Sequence, residues 1–213
     1  MDESTPGVES SADAGLRLAT KSDLSRLEVV MAKAFHDDPV IGWLMPDASL
    51  RPARLRCFFG IELRHMVLPR GCIWTTDDLN AAALVMPPGK WRVPLRATLR
   101  EGRAFGAGLG RAARLGTAME WRHAREVRGP HYYVRDVGVI PEMQGRGLGS
   151  TLMAPTLERC DREGLPAYLE ASSARSAALY ERLGFEHVAK LSVLGSPPLR
   201  LMLRQPPARQ AAS

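Results

Sequence analysis

The feature that most constrains this chain is a β-rich run, residues 131–140, which leads into a glycine-rich loop and then a helical pattern. The loop carries glycines at 145, 147 and 149. The first N–H groups of a helix have no intrahelical partner and carry partial positive charge, so a helix that begins here suits an anion. Glycines also let phosphate groups approach the main chain without a Cβ clash. The segment therefore predicts a phosphate-bearing ligand at the start of this helix.

Three kinds of phosphate loop compete for this segment. A dinucleotide fold requires G-x-G-x-x-G after the first strand, whereas these glycines are spaced by two and come late in the chain. A Walker A loop requires Gly-Lys-Ser/Thr, which the sequence lacks. A coenzyme A pyrophosphate site requires Gln/Arg-x-x-Gly-x-Gly/Ala, and Gln144, Gly147 and Gly149 supply that pattern. The spacing favours the coenzyme A site.

Gly138, inside the β-rich run, has two interpretations. A glycine in a strand marks either a bulge or a close backbone approach. Crowding against a neighbouring strand is one reading. The other is a bulge that splays two parallel strands, so that the exposed edge can hydrogen-bond the amides of a pantetheine arm.

Hydrophobic periodicity and breakers predict the remaining elements. The predicted strands are 16–20, 72–76, 81–86, 131–140, 167–170, 185–193 and 199–204. The predicted helices are 24–35, 51–68, two within 92–128, about 147–163 despite Pro155, and one that ends at Leu183. This order predicts an α/β protein with a mixed sheet (α+β) flanked by helices. We expect a disordered leader over 1–15, one domain over 16–204 and a flexible tail over 205–213.

Composition limits the partners. The net charge of +6 and pI of about 9.6 suit an anionic ligand. Arginines 92, 96, 100 and 103 lie on one helical face without aromatic residues between them, which favours a solvated face over nucleic acid. The 3 cysteines form no CxxC pair, so we expect no metal site and a reducing, cytoplasmic location. The longest apolar run, 81–86, is too short for a membrane span.

Two motifs resemble a known superfamily. Val137-Gly138-Val139 followed by residues 144–149 resembles the acetyl-CoA-binding motif of the GNAT N-acetyltransferases, and residues 179–185 resemble their later Tyr-Glu-x-x-Gly-Phe signature. Residues 165–172 and 17–23 look like the puromycin N-acetyltransferase branch. The resemblance is close over 131–185, fair over 16–46 and poor over 87–130. It implies the GNAT fold, acetyl-CoA as co-substrate, and direct attack of a primary amine on the thioester without an acyl-enzyme.

The resemblance and the residues together assign a candidate site. Ser176 stands where the superfamily often has an asparagine that holds the cofactor. The predicted cofactor contacts are Val137, Gly138, Val139, Gln144, Gly145, Arg146, Gly147, Leu148, Gly149, Ser150 and Ser176. Tyr180 is the candidate general acid for the thiolate, and Glu170, at the end of an apolar strand, is the candidate base. His131 and Asp136 are weaker base candidates, and the amide of Val139 is the candidate oxyanion donor.

The acceptor side is less constrained. A variable helical insert, 87–130, is expected near the acceptor, with aromatic contacts from Phe35, Trp43, Trp91 and Tyr133. The favoured acceptor is a small-molecule amine, such as an aminonucleoside antibiotic or related xenobiotic amine. A protein α-amine or lysine is the second hypothesis. A non-catalytic CoA-sensing or nucleic-acid-binding module is the third, and monomer and homodimer both stay open.

Overall fold

Seven strands form one mixed sheet in this computed structural model. The structure describes residues 15–207, apart from the side chains of residues 95–98. The strands are β1 (Leu16–Leu18), β2 (Cys72–Thr76), β3 (Ala81–Met86), β4 (Tyr132–Val139), β5 (Ala167–Ala171), β6 (Glu186–Leu191) and β7 (Leu199–Arg204). Their order is β1-β2-β3-β4-β5-β7-β6. Among the strands of the described residues, only β4 and β5 pair in parallel. Residues 1–14 of the predicted leader (1–15) and residues 208–213 of the predicted tail (205–213) lie outside the described residues.

Seven α-helices flank the sheet in the described residues. They are α1 (Leu24–Ala34), α2 (Pro39–Leu44), α3 (Arg51–Ile61), α4 (Leu95–Phe105), α5 (Leu109–Glu126), α6 (Leu148–Glu163) and α7 (Ala174–Arg182). One hydrophobic cluster joins α1, α3 and the α4–α5 segment to one face of the sheet, and a second joins α6 and α7 to the other. The predicted mixed sheet flanked by helices is confirmed. Within residues 15–207, no helix is both long and apolar enough to cross a bilayer.

Two helical details depart from the sequence prediction. Helix α2 was not expected, because Pro39 reads as a break. Asp38 instead caps this helix, since its Oδ1 atom accepts hydrogen bonds from the amides of Val40 and Ile41, and proline is well tolerated at a first helical position. The predicted helix over 51–68 is α3 followed by a π-helical segment, Glu62–Val67. Helix α6 continues through Pro155 as one element.

The parallel strands β4 and β5 separate after a short paired region. They pair only at Tyr132–Ala167 and Tyr133–Tyr168. Beyond these pairs, β4 stays hydrogen-bonded to β3 as far as the Val139–Ala81 pair. The other edge of β4 is therefore left facing an opening between the two strands.

The bulge in β4 lies at Arg135 and not at Gly138. Leu84 pairs with Asp136 and Val85 with Val134, so Arg135 is the extra residue. Gly138 stays in register, and a Cβ atom there would lie 2.7 Å from Met31 Sδ of α1. The bulge reading of Gly138 was therefore wrong, and so was crowding by a strand, because the close neighbour is a helix. A bulge re-aims a side chain of its strand, and Arg135 reaches Glu62, the first residue of the π-helical segment after α3.

Candidate functional site

The separation of β4 and β5 opens a cleft of about 610 Å³. Its lining includes most of the residues predicted to contact the cofactor, together with Glu170, Tyr180 and Phe35. Those cofactor candidates are Val137, Gly138, Val139, Gln144, Gly145, Gly147, Leu148, Gly149, Ser150 and Ser176. Arg146 is exposed on the loop and is not part of this lining.

The glycine-rich loop builds one end of the cleft. Gly147 caps α6 with a left-handed backbone, at φ +83°, and the amides of Ser150 and Thr151 donate to its carbonyl oxygen at 2.9 and 3.1 Å. The preceding amides therefore stand free at the positive end of the helix dipole. Arg175 and Arg182 line the same cleft. Because a Cβ at Gly145 would enter open space, a bulky anion has room to approach here.

The exposed edge of β4 presents its own donors to the cleft. The amide of Ile140 donates to Asn80 O at 3.1 Å, on the β3 side. Since successive amides of a strand point in opposite directions, the Val139 amide faces the cleft. Gln144 Nε2 donates to Val139 O at 3.0 Å, and Arg175 donates to Gln144 Oε1 at 2.7 Å. Gln144 therefore ties the end of β4 to α7, a role that sequence reasoning did not assign to it or to Arg175.

Ser176 lines the cleft, but its hydroxyl belongs to a local capping box. The Ser176 amide donates to Ser173 Oγ at 3.1 Å, and the Ser173 amide donates to Ser176 Oγ at 3.2 Å. Ser176 Oγ also donates to Ser173 O at 3.0 Å. The serine therefore stabilises the start of α7.

Glu170 lies on β5 just beyond the point where the strands separate. Its Oε2 atom accepts a hydrogen bond from Tyr133 Oη at 2.8 Å. Its buried Oε1 atom has no hydrogen-bond partner among residues 15–207. Burial raises the pKa of Glu170 to about 7, although the phenols of Tyr133 and Tyr168 and the charge of Arg135 oppose the rise. This carboxyl therefore changes charge near neutral pH, as a general base requires.

Tyr180 lies on α7 and lines the cleft. Its side chain is 7% exposed, and its ring packs edge-to-face on Phe185 with centroids 5.8 Å apart. Burial and the charge of Asp136 raise the pKa of Tyr180 above its ordinary value. The phenol therefore stays protonated at neutral pH and can donate a proton but cannot act as a base.

A charged cluster of Glu62, Glu101, Arg135 and Asp136 adjoins the cleft, which Arg135 and Asp136 line. The guanidinium of Arg135 donates to both carboxylate oxygens of the fully buried Glu62, through Nε at 3.0 Å and through Nη2. Burial and the charge of Glu62 raise the pKa of Asp136 to about 7 and that of Glu101 to about 8. Sequence reasoning did not assign Glu62, Glu101 or Arg135 to the site, because only the tertiary structure brings these segments together.

The raised pKa of Glu101 predicts how stability depends on pH. A carboxyl whose pKa is higher in the folded protein stabilises it below the unfolded pKa, and this stability is lost as pH rises toward about 8. We therefore expect Tm to fall between about pH 5 and pH 9. Glu101→Gln should reduce this fall by at least about 2–4 °C, the equivalent of about 1 kcal/mol at this size. Part of the fall should remain, because Asp136 and Glu170 act in the same direction.

Thermal unfolding followed by circular dichroism across this pH range checks the prediction. Glu120→Gln is the matched control, because Glu120 is exposed on α5 and loses the same formal charge. Equal pH dependence of Tm in Glu101→Gln and wild type would contradict the assignment.

The four aromatic candidates for the acceptor pocket are not gathered in one place. Phe35 lines the cleft, whereas Trp43, Trp91 and Tyr133 are absent from its lining. Trp43 packs under the guanidinium of Arg111 at 5.5 Å. Tyr133 is buried and hydrogen-bonded to Glu170, so it contacts the candidate base.

His131, a weaker base candidate, is also outside this lining. Its Nε2 atom lies 2.7 Å from Nε2 of His123, and its Nδ1 atom lies 2.8 Å from Gly129 O. The ring of Trp91 stacks on His123 at 4.1 Å. Burial lowers the pKa of both histidines, to about 3 for His123. These rings form a packed aromatic group outside the cleft.

Known proteins share both the sequence pattern and the fold. Residues 88–185 match the Acetyltransferase (GNAT) family model. An uncharacterized N-acetyltransferase of Schizosaccharomyces pombe is 27% identical over 206 residues, which cover 89% of this chain and 83% of that protein. A mycothiol acetyltransferase of Thermomonospora curvata is 30% identical over 188 residues, 85% of this chain and 59% of that protein.

A solved structure supports the same fold. The crystal structure of "histone acetyltransferase HPA2 and related acetyltransferase" from Corynebacterium glutamicum has a TM-score of 0.67 and 22% identity, over 92% of this chain and 98% of that one. At this identity the likeness concerns the fold alone. The matched family model spans the glycine-rich loop, Glu170 and Tyr180. Residues 88–185 therefore resemble the Acetyltransferase (GNAT) family in sequence, and the described residues share the fold of a solved acetyltransferase.

Proposed function

We propose that this domain transfers the acetyl group of acetyl-CoA to the primary amine of a small molecule, by direct attack in a ternary complex. The observation that carries the proposal is the cleft between β4 and β5. Its lining includes an anion-binding helix start, an open strand edge, a carboxyl with a pKa of about 7 and a protonated phenol.

The lining residues fit the co-substrate. The free amides around Gly147, with Arg175 and Arg182, suit its pyrophosphate, and the exposed edge of β4 suits the amides of its pantetheine arm. Acetyl-CoA supplies the activated acetyl thioester. The Val139 amide, which faces the cleft, suits the carbonyl oxygen as negative charge develops there.

The proton balance gives each side chain its role. Of the three protons on an ammonium acceptor, one remains on the amide product. Glu170 removes one before attack and releases it to solvent. Tyr180 gives its proton to the sulfur as the carbon–sulfur bond breaks, and the second proton lost from the nitrogen restores the phenol. The products are the N-acetyl amine and free CoA.

A small acceptor is favoured because a hydrogen bond between two lining residues spans the cleft beside Glu170. Ser172 Oγ at the end of β5 donates to Asp38 Oδ2 at the start of α2. This contact joins the two walls of the cleft beside Glu170. A polypeptide substrate needs an open groove for its chain on both sides of the reacting amine, so protein acetylation is the second candidate.

CoA release with a panel of amines tests the proposal. We expect release with at least one small amine, and the panel includes puromycin, because the resemblance to that branch stays a prediction. Release only with peptides would favour protein acetylation. Tight acetyl-CoA binding without turnover by any amine would favour a non-catalytic sensing module.

Gly147→Ala tests the predicted phosphate site. An L-residue in the left-handed region is strained by roughly 1–2 kcal/mol, so the free loop should relax away from the geometry that binds phosphate. Binding must restore that geometry, and we expect acetyl-CoA affinity to fall by about tenfold. Calorimetric titration with acetyl-CoA measures the change. Gly116→Ala on α5, where a Cβ meets nothing within 4 Å, is the control and should bind normally. Normal affinity in Gly147→Ala would contradict this location.

A further inference from the structure

The cleft lining is divided by charge along its length. Its phosphate end carries Arg175, Arg182 and the start of α6. Its acceptor end carries four carboxylates, which are Asp37, Asp38, Asp136 and Glu170. Although the whole chain has a net charge of +6, the part of the cleft where the acceptor would lie is lined by acidic side chains.

Of the positive groups that line this end, Arg135 forms its ion pair with another residue and Lys33 is exposed. The guanidinium of Arg135 is occupied by the buried carboxylate of Glu62, on which it forms two hydrogen bonds. Lys33 lines the cleft but is exposed. Within residues 15–207, neither Asp136 nor Glu170 has an ion-pair partner within 4.0 Å.

Buried atoms beside this cluster also lack partners. Glu101, next to Glu62 in the cluster, is 9% exposed, and its Oε1 atom has no hydrogen-bond partner among the described residues. The buried Oε1 atom of Glu170, which lines the cleft, also has no hydrogen-bond partner among the described residues. Buried carboxylates are costly to ionise without a partner, so a cation that enters the cleft would stabilise their ionised form.

A metal ion does not fit this position. Among residues 15–207, no three His, Cys, Asp or Glu side chains converge as ligands for one. The cation must therefore belong to a molecule that enters the cleft, and under the proposed function that molecule is the acceptor.

Asp136 is the carboxylate best placed to pair with this charge. Asp38 uses both oxygens within the protein, since Oδ1 caps α2 and Oδ2 accepts from Ser172. Glu170 already accepts from Tyr133 and is assigned to the reacting amine. Asp136 lines the same cleft and has no ion-pair partner within 4.0 Å among the described residues.

We propose that the acceptor carries a second cationic group, as a diamine or a guanidino-amine does, and that Asp136 pairs with this group while the primary amine lies at Glu170. The inference rests on the proposed acetyl transfer and narrows its substrate class. It separates this site from one built for an aromatic monoamine, since of the four predicted aromatic side chains only Phe35 lines the cleft.

Steady-state kinetics with two acceptors of equal length test the inference. The probes are butylamine and 1,4-diaminobutane, and CoA release gives kcat/KM for each. We expect wild-type enzyme to prefer the diamine by about tenfold or more, because a desolvated charge pair is worth at least that much. Asp136→Asn should reduce the preference to about threefold or less, and Asp136→Glu should retain most of it. Glu142→Gln, an exposed carboxyl on the turn after β4, should leave the preference unchanged.

Each other outcome overturns the inference in a recognisable way. Equal use of butylamine and 1,4-diaminobutane by wild type, or an undiminished preference in Asp136→Asn, removes the second-cation site but leaves the acetyl transfer standing. No CoA release with any amine of the panel removes both. If Asp136→Asn does not fold, the wild-type preference between butylamine and 1,4-diaminobutane still tests whether the site binds a second cationic group.

Discussion

Replacing Glu170 with glutamine is expected to lower kcat by about 10²-fold or more near pH 6, because general-base catalysis contributes about 10²–10⁴-fold. The amide keeps the shape of the side chain and can still accept the hydrogen bond from Tyr133 Oη. Only the ability to take a proton from the acceptor is lost. Acetyl-CoA affinity should change little, since Glu170 lies on β5 and not on the glycine-rich loop.

The pH dependence distinguishes a base from a merely structural carboxyl. Wild-type kcat should rise with pH up to about 7, where Glu170 loses its proton, and then level off. In Glu170→Gln, activity should keep rising toward the pKa of the amine, about 10 for an alkylamine. The loss is therefore largest at low pH and shrinks above pH 7.

Rate profiles between about pH 5 and pH 9.5 provide the measurement. Glu158→Gln is the matched control, because Glu158 is exposed on α6. A variant whose profile runs parallel to that of wild type over the whole range would exclude Glu170 as the base.

Replacing Tyr180 with phenylalanine should lower kcat by about 10–10²-fold and change acetyl-CoA affinity by less than about threefold. Thiolate is already a fair leaving group, since thiols have a pKa near 8.5, so the phenol contributes a hydrogen bond and late proton donation. Phenylalanine preserves the edge-to-face contact with Phe185. The fold should therefore remain intact while the proton donor is lost.

Tyr132→Phe is the matched control, because it also removes a phenol hydroxyl but at a residue outside the cleft lining. Tyr132 Oη donates to Glu163 Oε2 at 2.7 Å, and the residue is not part of the cleft lining. Its loss should cost about 1 kcal/mol of stability and leave kcat unchanged. Stopped-flow or steady-state CoA release compares the two variants. Equal kcat in Tyr180→Phe and wild type would remove the phenol as the acid.

Sequence reasoning succeeded where a short segment determines its own structure. The strand–glycine–helix pattern over 131–163 was recognised because each step depends on neighbours a few residues apart. It was wrong about Gly138, because a glycine has the same sequence signal whether it permits a bulge or the approach of a helix. It missed α2 because proline ends one helix and begins another, and only the cap by Asp38 decides between these.

Local sequence patterns were enough to predict the mixed α/β architecture and the glycine-rich start of α6, because hydrophobic periodicity, capping residues and glycines act over one or two turns. The arrangement of buried charges around Glu170 could be seen only in the folded structure. Arg135 meets Glu62 across 73 positions of sequence, and Tyr133 meets Glu170 across 37. Contacts between residues so far apart in the sequence depend on strand register, the bulge in β4 and the packing of α3 and α4. A local sequence pattern therefore does not predict which buried charges they bring together.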